Sequence, residues 1–207
     1  MEIIIKCLFI GFLSSAPMGP VGMLCVQRTL NEDRRHGLFT GVGAALGDML
    51  LALIAIIAAL GIGLTTEYIE AKQQPFQIIG SIILIAFGYI IFRRNPSKNL
   101  IKLNEARMST WKVIVSSFLL TISNIGTLLL YMALFARFNI IDPSRVFFFQ
   151  ILAVCVIGIG AMIWWFIITY IVNKLRTHFN PRGLKLFNRI VGTILMTVGL
   201  VGIITAI

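Results

Sequence analysis

The chain has 207 residues, of which 58% are hydrophobic and only 13% are charged, and its mean hydropathy is +0.93. A soluble domain carries roughly 25% charged residues, and one of this size could not hide so much apolar surface from water. The net charge of +10 would suit a nucleic-acid binder, but the sequence offers no soluble domain and no basic platform interleaved with aromatic residues. We therefore expect an integral membrane protein with no nucleic-acid partner.

A transmembrane helix needs about 20 mostly apolar residues, and six segments of this kind follow one another along the chain. They cover residues 3–26, 37–64, 76–92, 113–136, 146–172 and 184–207. Polar residues gather between them. We predict an all-α integral membrane protein with six transmembrane helices.

The basic residues are divided unevenly between the two sides of such a bundle. If the N-terminus is placed outside, 14 of the 18 Lys and Arg residues, Arg28 among them, fall in loops on one side. Cytoplasmic loops carry the excess of positive charge. This pattern predicts a protein of the bacterial inner membrane with both termini outside. Its basic loops would lie in the cytoplasm and contact the anionic lipid headgroups of the cytoplasmic leaflet.

The chain divides into two halves of three segments each, residues 1–95 and 112–207, joined by a basic cytoplasmic loop at residues 96–111. An odd number of crossings gives the two halves opposite orientations, as in transporters built from inverted repeats. Gly80 and Gly88 of the third segment are spaced much like Gly192 and Gly199 of the sixth. We therefore predict two inverted three-helix repeats.

The first segment is interrupted in its middle by Ser14-Ser15-Ala16-Pro17-Met18-Gly19-Pro20. Prolines remove backbone donors and break helices, and open backbone at this depth is tolerated only when it is buried in protein or lines a wet cavity. Secondary transporters build substrate sites from such broken helices. We interpret Ser14, Pro17, Gly19 and Pro20 as substrate-binding residues, the alternative being a proline kink that only shapes packing.

The second segment contains Asp48, the only carboxylate inside the six predicted spans. It lies 11 residues past Gly37, which is about 16 Å along a helix and close to the middle of the bilayer. Small residues from Gly41 to Ala55 share its helical face, which directs it into the bundle. Asp48 could pair with a substrate ammonium group, take up and release protons, or only hydrogen-bond the broken first segment.

The fourth segment carries a polar stripe at helical spacing, formed by Ser117, Thr121, Asn124, Thr127 and Tyr131. Asn124 lies at about the depth of Asp48, and the polar stretch 123–127 predicts a second helix break opposite the first. Hydroxyl groups in a span often bond only their own helix, which is the alternative for Ser117 and Thr127. We include Thr121, Asn124 and Tyr131 in the predicted substrate site.

Several of these features together resemble the LysE/RhtB family of amino-acid exporters. The resemblance is carried by Pro17-Met18-Gly19-Pro20, Arg34-Arg35-His36-Gly37-Leu38, Gly43-x-x-x-Gly47-Asp48 and Arg189-Ile190-x-Gly192. The sequence departs from the family pattern in two places: Met18 extends the usual Pro-Gly-Pro, and Ile125 follows Asn124 where proline is usual. The resemblance implies a six-span carrier that is driven by the proton-motive force and exports basic or neutral amino acids.

We therefore expect a secondary active transporter that exports amino acids or closely related metabolites by proton antiport and alternating access, with Asp48 coupling the proton. No nucleotide-binding loop or other cofactor site is visible, so we expect neither an enzyme nor a bound cofactor. The stretch Gly43-x-x-x-Gly47 could dock helices within one subunit or between the subunits of a homo-oligomer.

Two other classes of protein stay open. One is a divalent-cation exporter, although a lone buried carboxylate is a poor cage for a hard cation and we predict no metal site. The other is a membrane scaffold subunit that transports nothing. His36 and His178 are interpreted as surface residues without suitable carboxylate neighbours.

Overall fold

A computed structural model describes residues 2–17, 19–61, 73–93, 109–138, 140, 147–175 and 181–206. These residues contain helices and no strand. In chain order the helices are α1 (Glu2–Ser15), α2 (Pro20–Asn31), α3 (Arg34–Gly61), α4 (Gln73–Arg93), α5 (Thr110–Ile122), α6 (Ile125–Phe138), α7 (Phe147–Lys174) and α8 (Pro181–Ala206). The predicted basic loop at 96–111 lies almost wholly outside the described residues.

Three helices, α3, α7 and α8, are long and apolar enough to cross a membrane unbroken. Two further crossings are formed if each bent pair, α1 with α2 and α5 with α6, counts as one broken span. The apolar part of α4, Gln77–Arg93, is shorter than a full span. The all-helical, multi-pass character is thus confirmed, whereas the sixth crossing and the repeat arrangement stay predictions.

The outer surface of the bundle explains why the protein needs a membrane. Large apolar side chains point outward along the helices, among them Phe148 on α7 and Ile190 and Ile204 on α8. In water such a surface would drive aggregation, whereas lipid chains solvate it without cost. The buried core lies between α1, α3, α6 and α7.

Close helix contacts are made by glycines, as the small-residue stripes predict. A side chain at Gly11 would overlap the backbone of Ile157, so α1 and α7 touch almost backbone to backbone. A side chain at Gly43 would likewise overlap the carbonyl group of Ile114, which brings α3 directly against α5. These contacts place the middle of α3 beside the broken spans.

The helices α4 and α8 pack along each other in antiparallel directions. A Cβ atom on Gly88 would lie 2.7 Å from the carbonyl oxygen of Gly192, and one on Gly199 would lie 2.7 Å from that of Ser81. Contacts this short exist only because these positions carry no side chain. This helix pair forms one edge of the bundle, joined to the rest mainly through α4 and α6.

Candidate functional site

The first helix break lies where the prolines predict it. Helix α1 ends at Ser15, α2 begins at Pro20, and the two axes are bent by 74°. The Gly19 backbone N–H donates to the Pro17 carbonyl oxygen at 2.7 Å, which closes a tight turn between the helices. Proline suits the first position of α2 because the N–H that it lacks would have no helical partner there.

The second break is also confirmed, although no proline is present. Helices α5 and α6 are bent by 64° at Ser123 and Asn124. The Asn124 N–H donates to the Thr121 carbonyl oxygen at 3.0 Å, and the Asn124 carbonyl oxygen accepts from the Thr127 N–H at 2.9 Å. The backbone thus passes through a short turn and restarts as a helix with Ile125 at its first position.

Asp48 lies on α3 between the two broken spans and is only 3% exposed. Its carboxylate accepts a hydrogen bond from the Ser15 hydroxyl at 2.7 Å, at the end of α1. The Tyr131 hydroxyl on α6 hydrogen-bonds both Asp48 and Ser14, the latter at 2.8 Å. A carboxylate buried in this way is held by hydroxyl groups from both halves of the chain.

These groups surround a cavity of about 40 Å³. Seven of the eight predicted site residues line it, namely Ser14, Pro17, Gly19, Pro20, Asp48, Thr121 and Asn124. The eighth, Tyr131, joins the site through its hydrogen bonds to Ser14 and Asp48. The cavity has room for about one or two water molecules, whereas pockets for drug-sized ligands enclose about 300–1,000 Å³.

Sequence reasoning missed part of the cavity wall. Trp165 on α7 lines it, as do Val21 and Gly22 of α2, Ala44 of α3, and Thr127, which was placed only on the polar stripe. Helix α7 is apolar on nearly all its faces, so periodicity could not show which side faces a site. Only packing places Trp165 at the cavity: a Cβ atom on Gly41 would lie 2.8 Å from its Cγ atom.

Two residues near the predicted cytoplasmic face were misread from the sequence. His36 is not a surface residue but 8% exposed, with Nδ1 2.9 Å from an Asp33 carboxylate oxygen and Nε2 3.4 Å from one of Glu32. Arg28 is not a loop residue but is 3% exposed within α2. Neither residue lines the cavity, and His178 lies outside the described residues.

Arg28 connects helices of the two halves. Its guanidinium group donates to the Thr40 hydroxyl on α3 at 3.1 Å and to the Ser116 hydroxyl on α5 at 3.0 Å. It also reaches the carbonyl oxygen of Val113 at 3.4 Å. In the part of the chain that the structure describes, no group of three or more His, Cys, Asp or Glu side chains is arranged to hold a metal ion.

The fold and the cavity define a multi-pass membrane protein with a small polar site between two broken helices. The chain belongs to the LysE type translocator family, whose model matches residues 12–205. Members of this family are transporters rather than enzymes. The family resemblance read from the proline and glycine patterns is therefore confirmed.

Two curated relatives show how far the chain has diverged. It is 23% identical over 200 residues to the "Putative amino acid efflux protein YcgF" of Bacillus subtilis (strain 168), covering 96% of this chain and 94% of the relative. It is 30% identical over 115 residues to the "Uncharacterized membrane protein YahN" of Escherichia coli (strain K12). That second match covers 54% of this chain and about half (49%) of YahN. No solved structure matches the chain.

Proposed function

We propose that this protein exports amino acids or closely related small metabolites from the cytoplasm in exchange for protons. The observation that carries the proposal is the cavity in which one buried carboxylate, Asp48, lies between two broken helices. The name of the Bacillus subtilis relative supports amino acids as the substrate class. The basic loops support an orientation with both termini outside an inner membrane.

Asp48 has two roles in this proposal, and they exclude each other at any one moment. As a carboxylate it pairs with the ammonium group of the substrate, an interaction that is strong where water is scarce. When the substrate leaves, an uncompensated charge at this depth is costly, so the carboxylate takes up a proton. This alternation between ammonium group and proton couples export to proton entry.

The small size of the cavity supports alternating access. An amino acid cannot fit in about 40 Å³, so the two halves must move apart for it to enter. Several hydrogen bonds between the halves would have to break: Ser14 to Tyr131 joins α1 to α6, and Arg28 joins α2 to α5 through Ser116 and the Val113 carbonyl oxygen. We propose that the halves rock about the cavity and open it to each side in turn.

The proposal is tested with purified protein in liposomes preloaded with a panel of labelled amino acids. Efflux is measured with and without an imposed pH gradient, for the wild type, Asp48→Asn and the control Ser117→Ala. Ser117 is as deeply buried as Asp48 and lies one turn from Thr121, but it donates to its own helix and does not line the cavity. A carrier also speeds the exit of label when unlabelled substrate is present outside, which a channel does not.

We expect gradient-driven efflux of one class of amino acid, reduced more than tenfold in Asp48→Asn and kept in Ser117→Ala. Asparagine keeps the shape of the side chain and still accepts from Ser15, so the loss would report the charge. If the folded wild type moved no amino acid, the exporter proposal would fail. Efflux of divalent cations in the same liposomes would then favour the cation-exporter alternative, and no efflux of either kind would favour a scaffold.

A further inference from the structure

Trp165 is an unexplained part of the cavity wall. Its side chain is 3% exposed, and its indole Nε1 has no hydrogen-bond partner among the described residues. A buried donor without a partner is costly, because it has lost its hydrogen bond to water without gaining another. Gly41 of α3 lies directly against the Cβ and Cγ atoms of this side chain, and the indole lines the cavity beside α3.

The N-terminus of α2 brings further donors to the same cavity. Its first residue, Pro20, has no N–H, and the Met23 N–H is bonded to the carbonyl oxygen of Gly19. The next two residues of α2, Val21 and Gly22, both line the cavity. Their N–H groups have no acceptor within the helix, because the first turn of a helix has no carbonyl oxygen ahead of it to bond. The capping residue is Gly19, and no side chain caps this helix end.

We propose that Trp165 Nε1, together with the backbone N–H groups of Val21 and Gly22, binds the carboxylate of the transported solute. This inference rests on the exporter proposal and narrows its substrate class. Carboxylates are favoured at helix N-termini, where the backbone donors and the helix dipole act together. With Asp48 holding the ammonium group, the cavity recognises both charges of an α-amino acid and discriminates against amines that lack the carboxylate.

The chain offers a matched control in the neighbouring Trp164. It is equally buried, and its Nε1 also lacks a partner in the described part of the chain, but it does not line the cavity. It packs instead against aromatic rings, edge to face with Phe12 at 5.4 Å and stacked on Phe187 at 4.9 Å. Replacing either tryptophan by phenylalanine removes one indole N–H and leaves an aromatic ring.

The experiment measures KM for efflux from liposomes of the best-exported amino acid and of the amine obtained by removing its carboxylate. Wild type, Trp165→Phe and Trp164→Phe are compared. We expect Trp165→Phe to raise KM for the amino acid about tenfold, the size typical of one lost bond to a charged group, and to leave KM for the amine unchanged. Trp164→Phe should change neither value.

The ratio of the two KM values is measured on one protein preparation, so partial loss of folded protein does not alter it. Trp165→His, which restores a ring N–H, should recover part of the wild-type ratio. An unchanged ratio in Trp165→Phe, or the same change in Trp164→Phe, would overturn the assignment. The wild-type measurement separates this failure from failure of the exporter proposal, since only the latter abolishes amino-acid efflux by the unmodified protein.

Discussion

The two broken spans meet at one cavity, but different chemistry interrupts them. The break between α1 and α2 contains Pro17, Gly19 and Pro20 and bends the chain by 74°. The break between α5 and α6 contains Ser123 and Asn124, has no proline, and bends the chain by 64°. Each break carries an exposed residue, Pro20 at the first and Ile125, which is 71% exposed, at the second.

The first break is therefore enforced by the covalent structure of proline, whereas the second is maintained by hydrogen bonds. Proline cannot donate to the preceding turn, so no rearrangement can restore a regular helix through Pro20. Residues 123–126 have all their backbone donors and could become helical if the Asn124 turn opened. We therefore expect the first break to be fixed and the second to be the one that adjusts during transport.

The largest effect should follow from removing both prolines of the first break. In Pro17→Ala/Pro20→Ala the helix can continue from α1 into α2, because alanine is favoured over proline by about 3 kcal/mol at each interior position. We expect efflux to fall more than tenfold while helix content by circular dichroism stays equal or rises. The control is Pro75→Ala, near the exposed start of α4. Normal efflux by the double variant would show that the break is only a kink.

A smaller effect is expected from Asn124→Ala at the second break. A polar side chain at the residue that precedes a helix stabilises that helix end by about 1 kcal/mol. Because Asn124 also lines the cavity, we expect its loss to lower efflux, about fivefold, by less than the double proline variant does. The control is Ser123→Ala, because the exposed Ser123 hydroxyl donates only to the carbonyl oxygen of Leu119 on its own helix. Equal losses in both variants would mean that Asn124 has no special role at the cavity.

The smallest effect should come from Ile125→Pro, which gives the second break a proline like the first. Proline is well tolerated at the first position of a helix, and only the bond from the Ile125 N–H to the Ser123 carbonyl oxygen at 3.2 Å would be lost. The lost bond offsets the entropy that proline removes from the unfolded chain, so we expect the melting temperature in detergent to change little. Because the second break is the one expected to adjust, efflux should fall modestly, and unchanged efflux would mean that this break does not straighten during transport.

The lining of the cavity could be predicted wherever single residues determine local structure. The prolines of the first segment, the lone carboxylate in α3 and the polar stripe of the fourth segment identified the residues around the cavity. Each of these signals is physical and local: a missing donor, an unsolvated charge, or a periodicity of 3.6 residues. The all-helical class followed from hydropathy alone.

The positions of side chains that could not be predicted depend on how the helices pack against one another. Trp165 belongs to a helix that is apolar on nearly all faces, so only its packing against Gly41 places it at the cavity. Arg28 and His36 belong to a basic stretch that indicates a loop, but α2 and α3 extend into it from either side and bury both side chains. Charge counting gives the side of the membrane and not the depth of a residue.

The glycine contacts described above also bear on how such a chain can evolve. Where Gly88 meets Gly192 and Gly11 meets Ile157, backbone touches backbone, so the fit depends on the absence of a side chain and not on the identity of one. Lipid-facing positions, by contrast, only have to be apolar. We expect lineages of this family to exchange outward-facing side chains freely while a few small residues hold the architecture. Sequences of the family can then diverge widely while these helix contacts are kept.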